Sequence, residues 1–415
     1  MTEREHRFEQ KRKELFQSIP QFWPDLYGEE YALLDYYPLR EDELNDIRIA
    51  TERVGKIYAK TAKILRRSDD ETLMQLDFPK EVIPFIRQRI LPVESVIARC
   101  DFIMTDEGLK LIELNSDTPT FIKECFHVNQ KVTDYFDVEN PNAGCESMLK
   151  RSVEKAIKES IVKLKLTEPN IVFTSHDDHI EDKWTTQYLQ ELVSFPSTYV
   201  PLHELSIRKG EGLYDHHGRK IDVLYRQTYP LEHLLLDEDP ITKEKVGIQL
   251  LELVQTGRLA IINPISAFLL QSKAVQAVIW GLHEQHHHFF TETEHQWIHT
   301  YFLPTYLDDT PFLEKGIPYV KKPSFGREGD TVEIYEGRKI RLGDSHKTYK
   351  DSLPVYQSYV PLPKKLLQTT NGKQECHLLV GSFLINAEPS AIGFRAGGPI
   401  TDNAAYFLPV GVVNS

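Results

Sequence analysis

The sequence predicts a protein of the α/β class with an α+β arrangement, and three observations lead to that prediction. Apolar residues recur at helical spacing through the first 95 residues. Short apolar runs then alternate with amphipathic helices, which is typical of βα units. The last hundred or so residues have the pattern of antiparallel strands joined by Gly-bearing loops. A chain of 415 residues has room for several subdomains around a large core.

The first region, residues 1–95, is expected to be helical and to pack on the core. Within "REDELNDIRIATERVGKIYAKTAKILRR" one apolar stripe recurs near a period of 3.6, at Leu44, Ile47, Ala50, Val54, Ile57 and Ala62. Residues 96–150 are predicted to form a hairpin and the helix after it, residues 151–275 an α/β subdomain, and residues 276–415 a β-rich part. We expect these four regions to act as one unit.

The α/β subdomain is predicted from one helix and three strands. The segment "SMLKRSVEKAIKESIVKLKL" predicts an amphipathic helix that leads into the buried strand "NIVFTS". Two more strands are predicted in "KIDVLYRQTYP" and "RLAIINPIS", and a helix is expected to begin near Ser272. In the β-rich part, "YVKKPSFGREGDTVEIYEG", "PVYQSYVPLP" and "HLLVGSFLIN" predict antiparallel strands.

The stretch "RCDFIMTDEGLKLIELNSDTPT", residues 99–120, places polar side chains at alternating positions on two strands. A three-residue loop, residues 106–108, predicts a hairpin in which the numbers of paired residues add up to 214. One face of this hairpin then carries two opposed pairs, Asp101 with Glu113 and Arg99 with Asn115.

Directly opposed side chains on a hairpin have Cβ atoms about 5 Å apart. Two ionised carboxylates at that distance, Asp101 and Glu113, repel each other unless a cation lies between them. Together with Asn115 they match the oxygen ligands that Mg²⁺ accepts, and Arg99 suits a phosphate or carboxylate oxygen. The alternative is a solvated face with an incidental Arg–Asp pair.

This stretch resembles the glutathionylspermidine synthase family, whose synthetase domain has an ATP-grasp-type fold. The residues that match the family's strand pair and the segment after it are Arg99, Asp101, Glu113, Asn115, Asp117, Thr118, Thr120 and Glu124. Similar motifs continue in family order as "IEDKWTTQYL", "NPISAFLLQSKAVQAVIWGL", "YVKKPSFGREGDTV", "VYQSYVPLP", "LLVGSFLINAEPSAIGFRAGGPIT" and "FLPVGVV". Because the metal carboxylates precede the lysines, the resemblance implies the circularly rearranged, glutathione synthetase-like arrangement.

The resemblance also implies roles for individual residues. The implied Mg²⁺ ligands, for two ions, are Asp101, Glu113 and Asn115. The implied ATP-binding residues are Lys273 and Lys322, with Gly326 and Gly329 in a lid that belongs to region 276–415. The implied catalytic residues are Arg99, at the transferred phosphoryl group, and Arg327, which helps to close the site. The implied substrate-binding residues are Thr118 and Thr120 at the acid, Arg395 near the same region, Glu124, and Glu181 and Asp182 where the family recognises a polyamine.

These roles imply an ATP-dependent carboxylate–amine ligase that makes an amide bond through an acyl phosphate and releases ADP and phosphate. The expected substrates are a peptide-like acid and an amine such as a polyamine. Thr118 and Thr120 stand where the family has serines, which leaves the acid open. Two alternatives remain: a non-catalytic ATP-binding or regulatory module on the same fold, and a metal-dependent hydrolase that uses Asp101 and Glu113. No counterpart of the family's amidase domain is expected.

Bulk properties exclude several other classes. A net charge of −13 argues against a nucleic-acid partner, and no apolar run reaches the roughly 18 residues that span a membrane. Four cysteines without CxxC spacing indicate a reduced compartment, so we predict a cytoplasmic protein. The sequence contains neither a G-x-x-x-x-G-K-[ST] nor a G-x-G-x-x-G motif. Nothing in it indicates an oligomeric state.

Histidines are concentrated in "HEQHHHFFTETEHQWIH", with six in 17 residues. The pairs His283/His287 and His295/His299 have the i, i+4 spacing that binds a metal ion on a helix. The cluster lies outside every motif described above. We therefore predict surface or capping histidines.

Overall fold

The computed structural model describes residues 3–326, 329–343 and 348–413. The α-helices of these segments are α1 (Glu3–Gln17), α2 (Glu41–Leu65), α3 (Asp70–Gln75), α4 (Ile83–Ile86), α5 (Asn129–Phe136), α6 (Cys145–Leu164), α7 (Ile180–Leu192), α8 (Leu231–Leu234), α9 (Val246–Gln255), α10 (Phe268–Gln271), α11 (Ala274–Glu284), α12 (Glu292–Tyr301) and α13 (Thr310–Lys315). One π-turn, Glu124–Val128, leads directly into α5.

The strands in the same segments are β1 (Asp25–Leu26), β2 (Glu29–Glu30), β3 (Tyr37–Leu39), β4 (Ile97–Thr105), β5 (Gly108–Asn115), β6 (Ile171–Ser175), β7 (Thr198–Tyr199), β8 (Ser206–Arg208), β9 (Gly212–Tyr214), β10 (Lys220–Ile221), β11 (Val223–Gln227), β12 (Ala260–Ile262), β13 (Thr305–Tyr306), β14 (Tyr319–Pro323), β15 (Glu333–Glu336), β16 (Lys339–Gly343), β17 (Pro354–Ser358), β18 (Lys364–Thr369), β19 (Gly372–Ile385), β20 (Glu388–Gly397), β21 (Tyr406–Leu408) and β22 (Val410–Val412).

The central sheet is antiparallel in the order β21-β20-β19-β4-β5, and β18 also pairs with β19. Helix α2 packs on β19 and β20 through its predicted apolar stripe, which is buried along its whole length. The first turn of α2 carries three acidic residues, which favour a helix N-terminus, and the Glu43 carboxylate accepts from the Arg40 backbone N–H. The prediction of one long helix on a core is confirmed.

The α/β subdomain contains a parallel sheet in the order β12-β11-β6-β7. Strand β6 follows α6 as predicted, and its five residues are all buried, as expected for a parallel sheet with covered faces. The predicted strand "KIDVLYRQTYP" is instead two strands, because β10 pairs with β9 while β11 joins the parallel sheet.

A five-stranded antiparallel sheet, β13-β17-β14-β15-β16, carries the lysine-rich segment of the β-rich part. The amino-terminal region also meets the end of the described chain, since β3 pairs in parallel with β22. Within the described residues, none of the helices alone has the length and apolar character to cross a membrane, although the bent pair Ile265–Gln271 and Ala274–Glu284 meets those criteria together.

Candidate active site

The polar face predicted for the hairpin forms in the structure. Strands β4 and β5 pair Asp101 with Glu113 and Arg99 with Asn115, as predicted. The predicted three-residue loop is wrong: Thr105 pairs with Gly108, so the turn has only two central residues.

A β-bulge reconciles the short turn with the correct pairing. The register shifts between Asp101 and Phe102, and Ile112 is the extra residue on β5. A bulge leaves its extra residue out of the ladder, and the Ile112 carbonyl accepts two side-chain donors instead. These are Lys322 Nζ at 2.9 Å and Gln276 Nε2 at 3.0 Å. The bulge therefore both sets the register and creates a binding point for a lysine.

Arg99 joins the hairpin to the segment that follows it. Its Nε and one terminal nitrogen donate to the two Asp101 oxygens at 2.7 and 2.9 Å, and the other donates to the Thr120 carbonyl at 2.9 Å. Gly381 on β19 pairs with Asp101, and a Cβ there would lie 3.2 Å from Arg99 Cδ. Burial lowers the pKa of Arg99, but the Asp101 ion pair outweighs burial and holds that pKa above its ordinary value.

The second carboxylate, Glu113, faces cations. Its Oε2 lies 3.2 Å from Lys273 Nζ, and Lys273 also donates to the Gly326 carbonyl at 2.8 Å. Burial would raise the pKa of Glu113, but the charges of Lys273 and Lys322 outweigh burial and lower the pKa. The carboxylate therefore stays ionised, as a metal ligand must be.

Lys322 is held by a ring of hydrogen bonds. Besides the Ile112 carbonyl, it donates to Gln357 Oε1 at 2.8 Å, and Gln357 Nε2 donates to Gln276 Oε1 at 2.6 Å. Burial lowers the pKa of Lys322, Glu113 opposes the shift and the nearby Lys273 adds to it, and together these effects bring the pKa to about 7. One carboxylate thus faces two lysines, and this surplus of positive charge suits an anion.

The residues of the hairpin fit a Mg²⁺ ion. One Asp101 oxygen and one Glu113 oxygen each lie 3.2 Å from the same atom, Asn115 Nδ2, so both carboxylates point to one place. The Asn115 amide presents either its NH₂ or its oxygen there, since the two ends exchange by a flip of the side chain. Two carboxylates and an amide oxygen are a hard-oxygen donor set of the kind that Mg²⁺ takes.

These residues open onto a cleft of about 910 Å³, counted out to open solvent. Seven of the predicted site residues line it: Asp101, Glu113, Lys273, Lys322, Gly326, Gly329 and Arg395. The rest of its wall is largely apolar and includes Ile103, Leu303, Val320, Ile334 and Leu379. A wall of this kind beside a cluster of charges suits a ligand with one flat apolar end and one anionic end.

The loop after Lys322 approaches the cleft from the other side. Gly329 has φ +74°, and a Cβ at this position would lie 2.8 Å from Ile400 and 2.9 Å from the Thr401 carbonyl oxygen. Only glycine fits there, because both the backbone conformation and the contact exclude a side chain. Arg327, predicted to help close the site, lies outside the described residues.

Sequence reasoning missed the residues that hold the segment after the hairpin. Asn263, directly after β12, accepts from the Val96 and Ile97 backbone N–H groups and donates to the carbonyls of Ile97, Ser116 and Asp117. Gln271 Oε1 accepts from the backbone N–H groups of residues 116 and 117. The only signal in the sequence was the Asn-Pro pair that ends the strand.

Asp117, which belongs to the family motif, is fully engaged within the protein. Arg226 donates to one of its carboxylate oxygens at 2.5 Å, and the Leu231 backbone N–H donates to the other at 3.0 Å. Gln227 donates to the Thr118 carbonyl at 3.3 Å. These contacts fix the predicted substrate segment, residues 118–120, against the parallel sheet.

A second group of predicted residues surrounds Tyr31, which the sequence analysis did not identify. Its hydroxyl donates to Glu124 Oε1 at 2.6 Å, while Glu124 Oε2 is buried without a hydrogen-bond partner among the described residues. Burial raises the pKa of Tyr31, and the charges of Glu124 and Glu181 raise it further while Arg395 opposes them. Burial also raises the pKa of Glu124. Glu124, Glu181 and Arg395 therefore each lie within electrostatic range of Tyr31.

Asp182 lies on α7 next to Glu181 and is buried, with His179 Nδ1 at 3.5 Å from its Oδ2. The structure therefore places the predicted residues in two groups. The predicted Mg²⁺ and nucleotide group contains Asp101, Glu113, Asn115, Lys273, Lys322, Gly326 and Gly329, and the predicted substrate group contains Thr118, Thr120, Glu124, Glu181 and Asp182. Arg395, also predicted for the substrate, lines the cleft with the first group and acts electrostatically on Tyr31. Arg99 touches both groups through Asp101 and Thr120.

An antiparallel hairpin sheet, a parallel α/β subdomain and a second antiparallel sheet that carries a buried lysine define an ATP-grasp-like protein of the glutathione synthetase type. The chain belongs to the glutathionylspermidine synthase preATP-grasp family, whose model matches residues 6–413. One relative is a Haemophilus influenzae protein named as an acid–amine ligase, 24% identical over 94% of this chain and 90% of its own length.

A second relative is the bifunctional glutathionylspermidine synthetase/amidase of Escherichia coli, which is 21% identical over 83% of this chain. The match spans 55% of that longer protein. Among solved structures, the apo form of a glutathione synthetase-like effector from Globodera pallida superposes with a TM-score of 0.61. It covers 98% of this chain and 96% of its own at 10% identity, which shows the fold alone.

Proposed function

We propose that this protein is an ATP-dependent ligase that joins a carboxylic acid to an amine through an amide bond. The observation that carries the proposal is the convergence of Lys273 and Lys322 on Glu113, opposite Asp101, at the edge of an apolar cleft. Such a place suits ATP: the base packs on the apolar wall and the phosphates meet the lysines. The relatives' names support the ligase class.

The chemistry follows from the inertness of a carboxylate toward an amine in water. A carboxylate oxygen of the acid attacks the γ-phosphorus of ATP, and a new C–O–P linkage forms as the bond to ADP breaks. The amine nitrogen then attacks the carbonyl carbon of this acyl phosphate. Inorganic phosphate leaves, and the nitrogen loses a proton to give the amide.

The protein's own residues bind, orient and neutralise. Lys273 and Lys322 hold the phosphate chain, and Arg99 stabilises the transferred phosphoryl group where the nucleotide side meets the acid side. Asp101, Glu113 and Asn115 would hold two Mg²⁺ ions, which would neutralise charge at the phosphate oxygens. The Gly326–Gly329 loop, with Arg327, covers the phosphates and keeps water from the acyl phosphate.

The substrate group indicates the kind of molecules that are joined. The acid lies along Thr118 and Thr120, with Arg395 as a counter-charge for its carboxylate. Glu124, Glu181 and Asp182 supply negative charge, which suits the ammonium groups of a substrate such as a polyamine. A donor from the substrate would satisfy the unpartnered Glu124 oxygen.

The proposed location is the cytoplasm. All four cysteines are buried free thiols, which agrees with a reducing compartment.

The test is calorimetric titration with a slowly hydrolysed ATP analogue, with and without Mg²⁺. Wild type is expected to bind only when Mg²⁺ is present. Glu113→Gln and Lys322→Ala are each expected to weaken binding at least tenfold, because each leaves buried charges of the site unbalanced. Glu107→Gln, at the exposed turn of the same hairpin, serves as the matched control and should bind like wild type.

A mass-spectrometric screen of acids with amines, with ADP release as the first readout, then identifies the substrates. Absence of nucleotide binding by folded wild-type protein would refute the proposal and favour the hydrolase alternative. Mg²⁺-dependent binding without ADP release for any acid–amine pair would leave only the nucleotide-binding module.

A further inference from the structure

Four histidine rings gather where α11 ends and α12 runs back beside it, outside the residues that line the cleft. His283 belongs to α11, His286 follows the helix, and His295 and His299 lie on α12. The ring centroids of His283 and His295 lie 5.2 Å apart, as do those of His286 and His295. His283 and His287 do not share a helix, because α11 ends at Glu284, and the prediction of surface or capping histidines does not hold for His295, which is buried. The cluster forms between two helices instead.

Two ring nitrogens face each other at the centre of this cluster. The Nδ1 atoms of His283 and His295 are 3.1 Å apart, so the two lone pairs require either a proton or a cation between them. His295 is buried, and its Nε2 lies 3.3 Å from the His287 carbonyl oxygen, which makes Nε2 the protonated nitrogen. Its Nδ1 therefore carries a lone pair. A far ring N–H held by a backbone carbonyl is the usual orientation of a metal-binding histidine.

The spacing of the rings also matches a metal site. Zinc–nitrogen bonds of about 2.0–2.1 Å in a tetrahedral shell place two ligand nitrogens about 3.4 Å apart, and the centroids of their rings about 5 Å apart. The triangle of His283, His286 and His295 has centroid distances of 5.2, 5.2 and 6.1 Å. His299 lies 6.0 Å from His283 on the open side.

We propose that His283, His286 and His295 bind a divalent transition-metal ion of the zinc class, with His299 at the rim. Within residues 3–326, 329–343 and 348–413, no group of three His, Cys, Asp or Glu side chains could hold a metal ion in the orientations that the structure shows, so binding requires a change of rotamer. The exposed His286 ring therefore turns inward when the ion binds. The ion ties α11, whose first turn follows Lys273, to α12. Imidazole nitrogens select this class over Mg²⁺, which prefers oxygen.

The test uses tag-free, chelator-treated full-length protein in buffer with millimolar Mg²⁺, which occupies the oxygen site of the hairpin. Zn²⁺ is titrated by calorimetry, and Co²⁺ by its visible absorption, which reports tetrahedral nitrogen ligation. Wild type is expected to bind one ion with a dissociation constant in the micromolar range or below. The double variant His283→Gln/His295→Gln is expected to bind at least 100-fold more weakly.

The matched control is His216→Gln/His217→Gln, a pair of adjacent rings on an exposed turn beside Glu204. This control should bind Zn²⁺ like wild type. If the buried-site double variant does not fold by circular dichroism, His286→Gln, at an exposed position, replaces it and should lose at least tenfold. No Zn²⁺ binding by wild type, or undiminished binding by the folded cluster variants, would overturn the proposal.

Discussion

Buried lysines are used in two ways in this molecule. Lys322 faces a carboxylate at the edge of the cleft, where a bound anion is the expected partner. Lys123 instead donates to two backbone carbonyls, Pro20 at 2.9 Å and Gln21 at 2.7 Å, and so ties the helix start beside Glu124 to the amino-terminal region. Burial lowers the pKa of Lys123 to about 8, although Glu191 and Glu124 oppose the shift.

The lowered pKa of Lys123 predicts a pH dependence of stability. The unfolded chain holds this proton up to its ordinary pKa of 10.5, while the folded protein releases it near 8. Between these values Lys123 holds its proton more tightly in the unfolded state, so its own contribution to folding stability rises with pH, by at most about 3 kcal/mol. Urea unfolding of wild type and Lys123→Met at pH 8 and pH 10 measures this contribution as the difference between the two proteins.

Lys123→Met is expected to lose this rise, whatever its absolute stability. Lys131→Met, an exposed lysine on the helix that follows, should keep it. An equal rise with pH in wild type and Lys123→Met would contradict the assignment.

Among the elements, the hairpin shows what the sequence reveals and what it conceals. Alternation placed Asp101, Glu113 and Asn115 on one face, because a strand's side-chain period is two. The bulge at Ile112 was not predictable, since a two-residue turn plus a bulge gives the same pairing as a three-residue loop. The sequence patterns of α2 and β6 were equally easy to interpret. Burial of one face gives a periodic apolar pattern, and burial of both faces gives a continuous apolar run.

The residues that hold the hairpin in place show almost no recognisable pattern in the sequence. Asn263, Gln271, Gln276 and Gln357 are polar side chains whose partners lie far away in sequence, and neither spacing nor composition marks them. The roles of the predicted site residues were inferred from family motifs. That these residues lie close together could be seen only in the folded structure. The i, i+4 spacing of the histidines did not indicate the cluster, because the cluster forms between two helices.

We expect substitution of Asn263 to lower the free energy of unfolding. Its amide makes five hydrogen bonds to the backbone at both ends of the hairpin, and the site is buried. Asn263→Ala leaves these backbone groups unpaired and is expected to cost about 2–4 kcal/mol in the free energy of unfolding, measured in urea.

The comparison variant is Asn170→Ala at the start of the same parallel sheet. Asn170 Nδ2 makes one exposed bond to the Lys220 carbonyl, at 3.0 Å, so its loss should cost less than about 1 kcal/mol. Similar costs for the two variants would mean that Asn263 does not hold the hairpin.

At the scale of the whole molecule, the cleft lies where the central sheet, the five-stranded sheet and the start of α11 meet. The carboxylates come from the central sheet, Lys322 from the five-stranded sheet and Lys273 from the residue before α11. Gly329 brings the loop of the five-stranded sheet against residues 400–401, next to the central sheet. At the cleft, the two sheets are therefore linked by a contact between their loops.

Substitution of Gly329 by alanine tests that contact, and the same substitution at Gly337 is the matched control. Both glycines have positive φ in the five-stranded sheet region, but a Cβ at Gly337 meets nothing within 4 Å. Gly337→Ala should cost about 1 kcal/mol of stability from backbone strain and leave ATP-analogue affinity within twofold. Gly329→Ala carries the same strain and also pushes against Ile400, so affinity by calorimetry is expected to fall at least tenfold. Equal affinities would separate the loop from nucleotide binding.

The pairing of β3 with β22 has a consequence for how the chain folds during synthesis. Tyr37 emerges from the ribosome early, but its strand partner, Val410, is among the last described residues. Because translation adds about 5–20 residues per second, β3 waits on the order of tens of seconds for β22 to be synthesised. During that wait α2 has no complete sheet on which to bury its apolar stripe, since β19 and β20 also come late. The nascent chain is therefore an expected client of chaperones that shield apolar helices until translation is nearly finished.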